Sequence, residues 1–263
     1  LKRVGIIGAG KIGGSLLARL AGSGDYDLSV SDIHSDYIEP YANEYGVRAT
    51  TSNRDLAEGS ELVVVAVKPW DVAQVLEEIS PAFVEGEGRA VVSVAAGVSI
   101  AKIEERLPAG TAVLRVMPNV CASVGLGSAV VTSNEPGRAM LPTVMEIFAH
   151  VGDVMELPER LFDAATALHG SGPAYVALFA DALIQAGVRE GIPREVARRL
   201  VVETIAGTAA LLKDRSAHQV RDEVMTPGGT TAAAFVAMEK AGIVGAIYDG
   251  VRAATERARS LGG

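Results

Sequence analysis

Cysteine is almost absent from this chain. Cys121 stands alone among 263 residues, so no disulfide can close within the chain, and a reducing compartment, the cytoplasm, is the expectation. With no His near it in sequence, Cys121 reads as a small buried apolar residue. Histidine is nearly as scarce: His34, His150, His169 and His218 are isolated and lack the short spacings of a metal centre, so no metal is expected. Positive charge is in deficit, with 24 Lys and Arg against 32 Asp and Glu. The net charge of −8 repels polyanions and speaks against nucleic acid as a partner. Long apolar runs are missing as well. The longest stretch without a charge, Val116 to Asn134, is broken by Pro118, Asn119, Gly125 and Gly127 and fails as a membrane helix. Val4-Gly5-Ile6-Ile7 is too short for a secretory core, so neither signal peptide nor membrane association is expected. What remains, 49% hydrophobic and 21% charged, is globular composition with room for one large domain or two moderate ones.

Up to residue 158, short runs rich in Val and Ile alternate with amphipathic stretches. Strands are expected near 3–8, 27–31, 47–50, 61–67, 90–95, 112–117, 128–133 and 152–157, with helices near 11–22, 36–45, 70–79, 99–106 and 137–149. That alternation predicts an α/β domain over 1–158, a doubly wound Rossmann-type parallel sheet. After Pro158 the strand runs stop. Residues 159–263 read as all-helical, with helices near 161–169, 173–190, 194–214, 217–225, 229–241 and 243–260, and Ser216 with Gln219 forms a capping-box signature. Val176, Phe179, Leu183, Leu200, Ile205 and Leu212 give these helices apolar faces, which can form a core of their own or mark a subunit interface.

The first chemical signal is Gly8-Ala9-Gly10-Lys11-Ile12-Gly13, a G-x-G-x-x-G turn between the first strand and the first helix. Gly8 permits the tight turn, Gly10 lets a pyrophosphate approach the backbone, and Gly13 lets helix and strand pack closely. Asp32 ends the second strand nineteen residues beyond Gly13, where a carboxylate binds both ribose hydroxyls and repels a 2′-phosphate. A dinucleotide, NADH or NADPH with a lean to NADH, is the expectation. A second signal is Thr226-Pro227-Gly228-Gly229-Thr230-Thr231, hydroxyls and glycines directly before an apolar helix. On residues alone it reads equally as a pocket for a small anion at a helix N-terminus and as a plain helix cap.

Further segments follow in order: Ala66-Val67-Lys68-Pro69, Ser93-Val94-Ala95-Ala96-Gly97-Val98, Met117-Pro118-Asn119 and Gly170-Ser171-Gly172-Pro173-Ala174-Tyr175. With the 226–231 loop and Met238-Glu239 they resemble pyrroline-5-carboxylate reductase across the whole chain. The resemblance implies NAD(P)H-dependent reduction of 1-pyrroline-5-carboxylate to L-proline, the last step of proline biosynthesis. It also implies a helical domain that forms a homodimer, with dimers assembling further into a decamer. Residue by residue, Gly8, Gly10 and Gly13 match the dinucleotide loop, Asn53 the adenosine side, and Val67, Lys68 and Pro69 the loop lining the cleft; with Ala9, Lys11, Ile12 and the Asp32 carboxylate they make up the expected cofactor-binding residues. Ala95, Ala96 and Gly97 match the turn on the nicotinamide side. Thr226, Gly228, Gly229, Thr230 and Thr231 match the loop for the substrate carboxylate, and Thr231 corresponds to the catalytic hydroxyl near the imine nitrogen. Lys68 on its own chemistry reads equally as a solvated strand-end cation. His169 departs from the family, where Ser commonly precedes Gly-Ser-Gly-Pro, and reads as a satisfied histidine at a helix end.

Proton bookkeeping separates the reactions open to such an architecture. A ketone needs an acid for its nascent alkoxide, whereas a cyclic imine can enter already protonated. Hydroxyacid dehydrogenases of similar layout carry G-x-x-x-K on the first long helix of the second domain. Here Val176 stands four residues after Gly172, and 173–188 holds no Lys or Arg, which favours imine reduction.

Overall fold

The computed structural model describes residues 2–83 and 88–262. The Val- and Ile-rich runs become β1 (Lys2–Ile7), β2 (Tyr26–Ser31), β3 (Arg48–Thr50), β4 (Leu62–Val65), β5 (Ala90–Ser93), β6 (Ala112–Pro118), β7 (Gly127–Ser133) and β8 (Gly152–Glu156). Between them run α1 (Lys11–Ser23), α2 (Ser35–Tyr45), α3 (Asn53–Gly59), α4 (Val72–Ile79), α5 (Ile100–Glu104) and α6 (Leu141–Ala149). One sheet results, in the order β3-β2-β1-β4-β5-β6-β7-β8, and the order reverses beside β1 as in a doubly wound fold.

Alternation along the central strands decides which side chain enters which layer. Val64, Val92 and Leu114 join Leu16, Leu20 and Phe148 on one face, while Val63, Val91 and Val113 join Leu76, Ile79 and Ile103 on the other. Both faces are sealed, which is why these strands read as continuous apolar runs rather than as a polar-apolar alternation.

Two features depart from expectation. β7 runs antiparallel to β6, so the sheet is not wholly parallel, and β8 then pairs parallel to β7. Residues 119–126 are the whole connection from β6 to β7, too short for a parallel crossover, which needs about a dozen residues or more. The second is α3, which the apolar periodicity does not announce. It is a short helix with only Leu56 and Ala57 buried, started by the Ser52 hydroxyl accepting the Asp55 N–H.

The chain divides into two compact units, one comprising residues up to Ser171 with the last helix from Ala254, the other Gly172–Ala253. Segment 159–171 belongs to the first. Arg115, 4% exposed in β6, puts Nη1 3.0 Å from Glu159 Oε1 and its guanidinium 4.7 Å over the Phe162 ring; the same Glu159 oxygen accepts the Ile100 N–H. The expected helix 161–169 is α7 (Phe162–Ala165) followed by a wider π turn, Thr166–Gly170.

The second unit consists of α8 (Gly172–Arg189), α9 (Arg194–Leu211), α10 (Ala217–Val224), α11 (Thr230–Lys240) and the first part of α12 (Ile243–Gly262). Ser216 and Gln219 form the expected capping box at α10. A core of its own does not appear. Ala197 is the one buried residue from Gly172 to Ala253, while Leu178 is 72%, Leu200 55% and Ile247 57% exposed. Among the described residues no single helix is long and apolar enough to cross a membrane.

Candidate functional site

The carboxyl ends of β1, β4 and β5, adjacent and parallel, bring three of the expected segments to one edge of the sheet. These are Gly8–Gly13, Val67–Pro69 and Ala95–Gly97. The three glycines of the first segment differ in what surrounds them. Gly8 has φ 97° and lies so close to the Ala66 carbonyl that a Cβ would come within 2.9 Å of it. A Cβ on Gly13 would overlap the Gly8 carbonyl oxygen, so only glycine allows α1 to approach β1 this closely. A Cβ on Gly10 would meet nothing within 4 Å, so that side of the turn is open. Gly10 is the N-cap of α1 without a side-chain cap, so the first N–H groups of that helix, from Lys11 and Ile12 onward, are available to an anion. Gly10, Lys11, Ser15, Tyr37 and Tyr41 also border an open cavity of about 680 Å³ beside this turn. Burial raises the Tyr41 hydroxyl above the ordinary tyrosine range, with a smaller contribution from the Glu44 charge.

Asp32 follows β2 directly. Its Oδ2 accepts the Ala9 N–H at 2.9 Å and its Oδ1 the His34 N–H at 3.0 Å. Asn53, the first residue of α3, accepts the hydroxyl of buried Ser31 at 2.8 Å and donates to Glu78 Oε2 at 2.7 Å, so its amide bridges β2 and α4. Lys68 is exposed, with its carbonyl accepting the Asp71 N–H and Pro69 opening a single 3₁₀ turn. Ala95 is buried, Ala96 half-buried, and Gly97 has φ 77°.

Thr226 to Thr231 lie in the second unit. Gly228 turns the chain at φ 70°, the Gly229 N–H donates to the Thr226 carbonyl, and Gly229 is the N-cap of α11 with no side chain capping it. The helix therefore starts on a glycine N-cap and not on a hydroxyl. The N–H groups of Thr230, Thr231 and Ala232 point out of the helix start with no intrahelical partner, the arrangement that receives a carboxylate. Thr231 is half-buried and Thr230 exposed.

Periodicity and motif spacing miss a polar cluster at the end of β6. Asn119 accepts the N–H groups of Cys121 and Ser128 and donates to the His169 carbonyl, while His169 Nδ1 lies 3.1 Å from Ser128 Oγ. Its Nε2 is buried without a hydrogen-bond partner, so His169 is only half satisfied, contrary to the helix-end expectation, and burial lowers its pKa. Cys121 is half-buried rather than buried. The sequence signal for the neighbouring ion pair was Arg115 itself, a charge in the middle of Val113-Leu114-Arg115-Val116. Among the described residues no three His, Cys, Asp or Glu side chains come together in a way that could hold a metal ion.

Comparison with known proteins bears on both halves of the chain. Residues 159–261 match the family described as pyrroline-5-carboxylate reductase dimerisation, and residues 3–97 match the family described as NADP oxidoreductase, coenzyme F420-dependent. The pyrroline-5-carboxylate reductase of Synechocystis is 40% identical over 99% of this chain and 98% of its own. A solved structure of the Coxiella burnetii enzyme superposes with a TM-score of 0.93 at 31% identity, covering 99% of this chain and 98% of that one. The Plasmodium falciparum pyrroline carboxylate reductase, solved with NADP bound, gives 0.87 at 30% identity, covering 100% of this chain and 98% of that one.

Proposed function

The chain belongs to the pyrroline-5-carboxylate reductase family, NAD(P)H-dependent oxidoreductases that reduce 1-pyrroline-5-carboxylate to L-proline, and we propose which of its residues do what in that reaction. Gly8, Ala9, Gly10, Lys11, Ile12 and Gly13 hold the pyrophosphate, Asp32 the adenosine ribose, and Asn53 the adenosine side. Val67, Lys68 and Pro69 line the cleft, and Ala95, Ala96 and Gly97 border the nicotinamide. The open face of Gly10 and the uncapped start of α1 support that assignment. NADH is preferred over NADPH because the Asp32 carboxylate repels a 2′-phosphate.

Thr226, Gly228, Gly229, Thr230 and Thr231 take the substrate carboxylate on the free N–H groups at the start of α11. The bound dinucleotide supplies a hydride to C5 of the imine. No residue has to deliver a proton to the ring nitrogen, because the substrate binds as the iminium. The Thr231 hydroxyl accepts the iminium N–H and then donates to the lone pair that the nitrogen gains. Holding the imine against the cofactor supplies most of the acceleration.

The functional modules are residues 1–158 and 159–263, a division supported by the dimerisation family's match to 159–261. The exposed apolar residues of α8, α9 and α12 support a homodimer through the helical module, with dimers joining into a decamer. A single cysteine and a net charge of −8 support a cytoplasmic enzyme without nucleic-acid or membrane partners.

The observation that carries this reading is the pairing of the three-glycine turn with an acid-ended second strand, on a chain matching these reductases along its whole length. The test is the initial rate of NADH and NADPH oxidation on adding 1-pyrroline-5-carboxylate, with proline identified as product. Saturable turnover, faster with NADH at limiting cofactor, is expected. Binding of either cofactor without turnover would overturn the substrate assignment.

A further inference from the structure

Asp32 is engaged by two backbone donors. The N–H of Ala9, inside the glycine turn, donates to Oδ2, and the N–H of His34, just before α2, donates to Oδ1. The Gly8 N–H donates at 2.8 Å to the carbonyl of Ser31, so the end of β2 and the glycine turn are tied at two consecutive residues. The turn is confined elsewhere too. Gly8 abuts the Ala66 carbonyl, and Gly13 abuts that of Gly8. His34 is itself held, its ring 5.3 Å from that of Tyr37 and tilted by 52°. Backbone N–H bonds to a carboxylate are roughly twice as strong as neutral ones. With both oxygens in use, the carboxylate cannot swing aside without releasing the Ala9 N–H.

We propose that Asp32 is a positioning residue for the pyrophosphate-binding turn, so that ribose discrimination and pyrophosphate binding are coupled through one carboxylate. Making room for a 2′-phosphate by moving or removing Asp32 loosens the turn that both dinucleotides require. The proposal rests on the glycine turn being the dinucleotide site and is independent of which cofactor the enzyme prefers.

The test is equilibrium binding of NADH, NADPH, ADP and AMP to the wild type, Asp32→Ala and Asp32→Asn, with folding followed by thermal denaturation. Asp32→Ala is expected to weaken both cofactors, NADH by about tenfold or more and NADPH by less, because the variant also loses the repulsion of the 2′-phosphate. It should also narrow the affinity gap between ADP and AMP, which reports the second phosphate. Asp32→Asn retains an acceptor for Ala9 and should keep most of that gap. If Asp32→Ala binds NADPH as tightly as the wild type or more so, with the gap unchanged, Asp32 reads the ribose alone and the proposal fails. A wild type that prefers NADPH, with Asp32→Ala still losing both cofactors, removes the NADH preference and leaves the coupling standing. Should Asp32→Ala lose its cooperative melting transition, Asp32→Ser, too short to reach Ala9, takes its place with the same two outcomes.

Discussion

The sheet unit and the helical unit contain similar apolar side chains and treat them in opposite ways. In the first, β4, β5 and β6 are sealed by helices on both faces, and the buried Arg115 has an ion pair and an aromatic ring. In the second, α8 to α11 leave Leu178, Leu200, Val236 and their neighbours exposed, and Ala197 alone is buried. A βα unit brings its own cover, since each crossover helix lies on the strands it connects. Amphipathic helices with apolar residues on more than one face cannot all be covered by the neighbours a short chain supplies. The first unit is held by contacts within the chain, and the second calls for contacts from outside it.

The comparison breaks most readily at the exposed leucines. Leu200→Asp or Leu178→Asp should weaken self-association by about a thousandfold, because an unpaired charge buried at an interface costs several kcal/mol. Sedimentation velocity at falling concentration measures this, and unchanged dimers would remove these faces from the interface. Arg115→Ala should cost about 1.5–3 kcal/mol in the first unit, since a charge-assisted hydrogen bond and the packing on Phe162 are lost while Glu159, a third exposed, keeps its hydration and the Ile100 N–H; Arg115→Met should be better tolerated. Chemical denaturation reads that loss, and dimerisation should survive it.

Thr231→Ala sharpens the contrast on the chemical side. A fall in kcat of about ten- to a hundredfold with unchanged NADH affinity is expected, the size of one hydrogen bond to a charged group. Full turnover would clear Thr231 of its role. The smallest effect is in pH. Burial lowers the His169 pKa below its ordinary 6.5, so the unfolded chain takes up the proton more readily than the folded one. The stability of neutral His169 is complete above that value and is lost as pH falls through the lowered folded value. Melting temperature between neutral and mildly acidic pH should therefore decline more steeply for the wild type than for His169→Ser.

Much of the fold was legible without coordinates. All eight strands fall within three residues of their expected bounds, because a buried parallel strand is a short Val-rich run between breakers. The glycine turn was legible for the same local reason. α3 was not, since a short helix with two apolar positions carries no periodicity and its start depends on one Ser52 hydroxyl. The ends of the Asn53 amide and the His169–Ser128–Asn119 cluster were hidden too, because their partners lie between 9 and 50 residues apart in the chain.

What the amino-acid sequence determined by itself was the kind and order of the elements and the places where only glycine fits, since both follow from periodicity and backbone sterics over a few residues. The reversal of β7 belongs with them, because it follows from the length of its connection to β6. Tertiary structure decided the pairing of Arg115 with Glu159 and the two backbone donors on Asp32. Which buried charge or carboxylate meets which donor is a contest among distant groups, and only the closed sheet sets those distances.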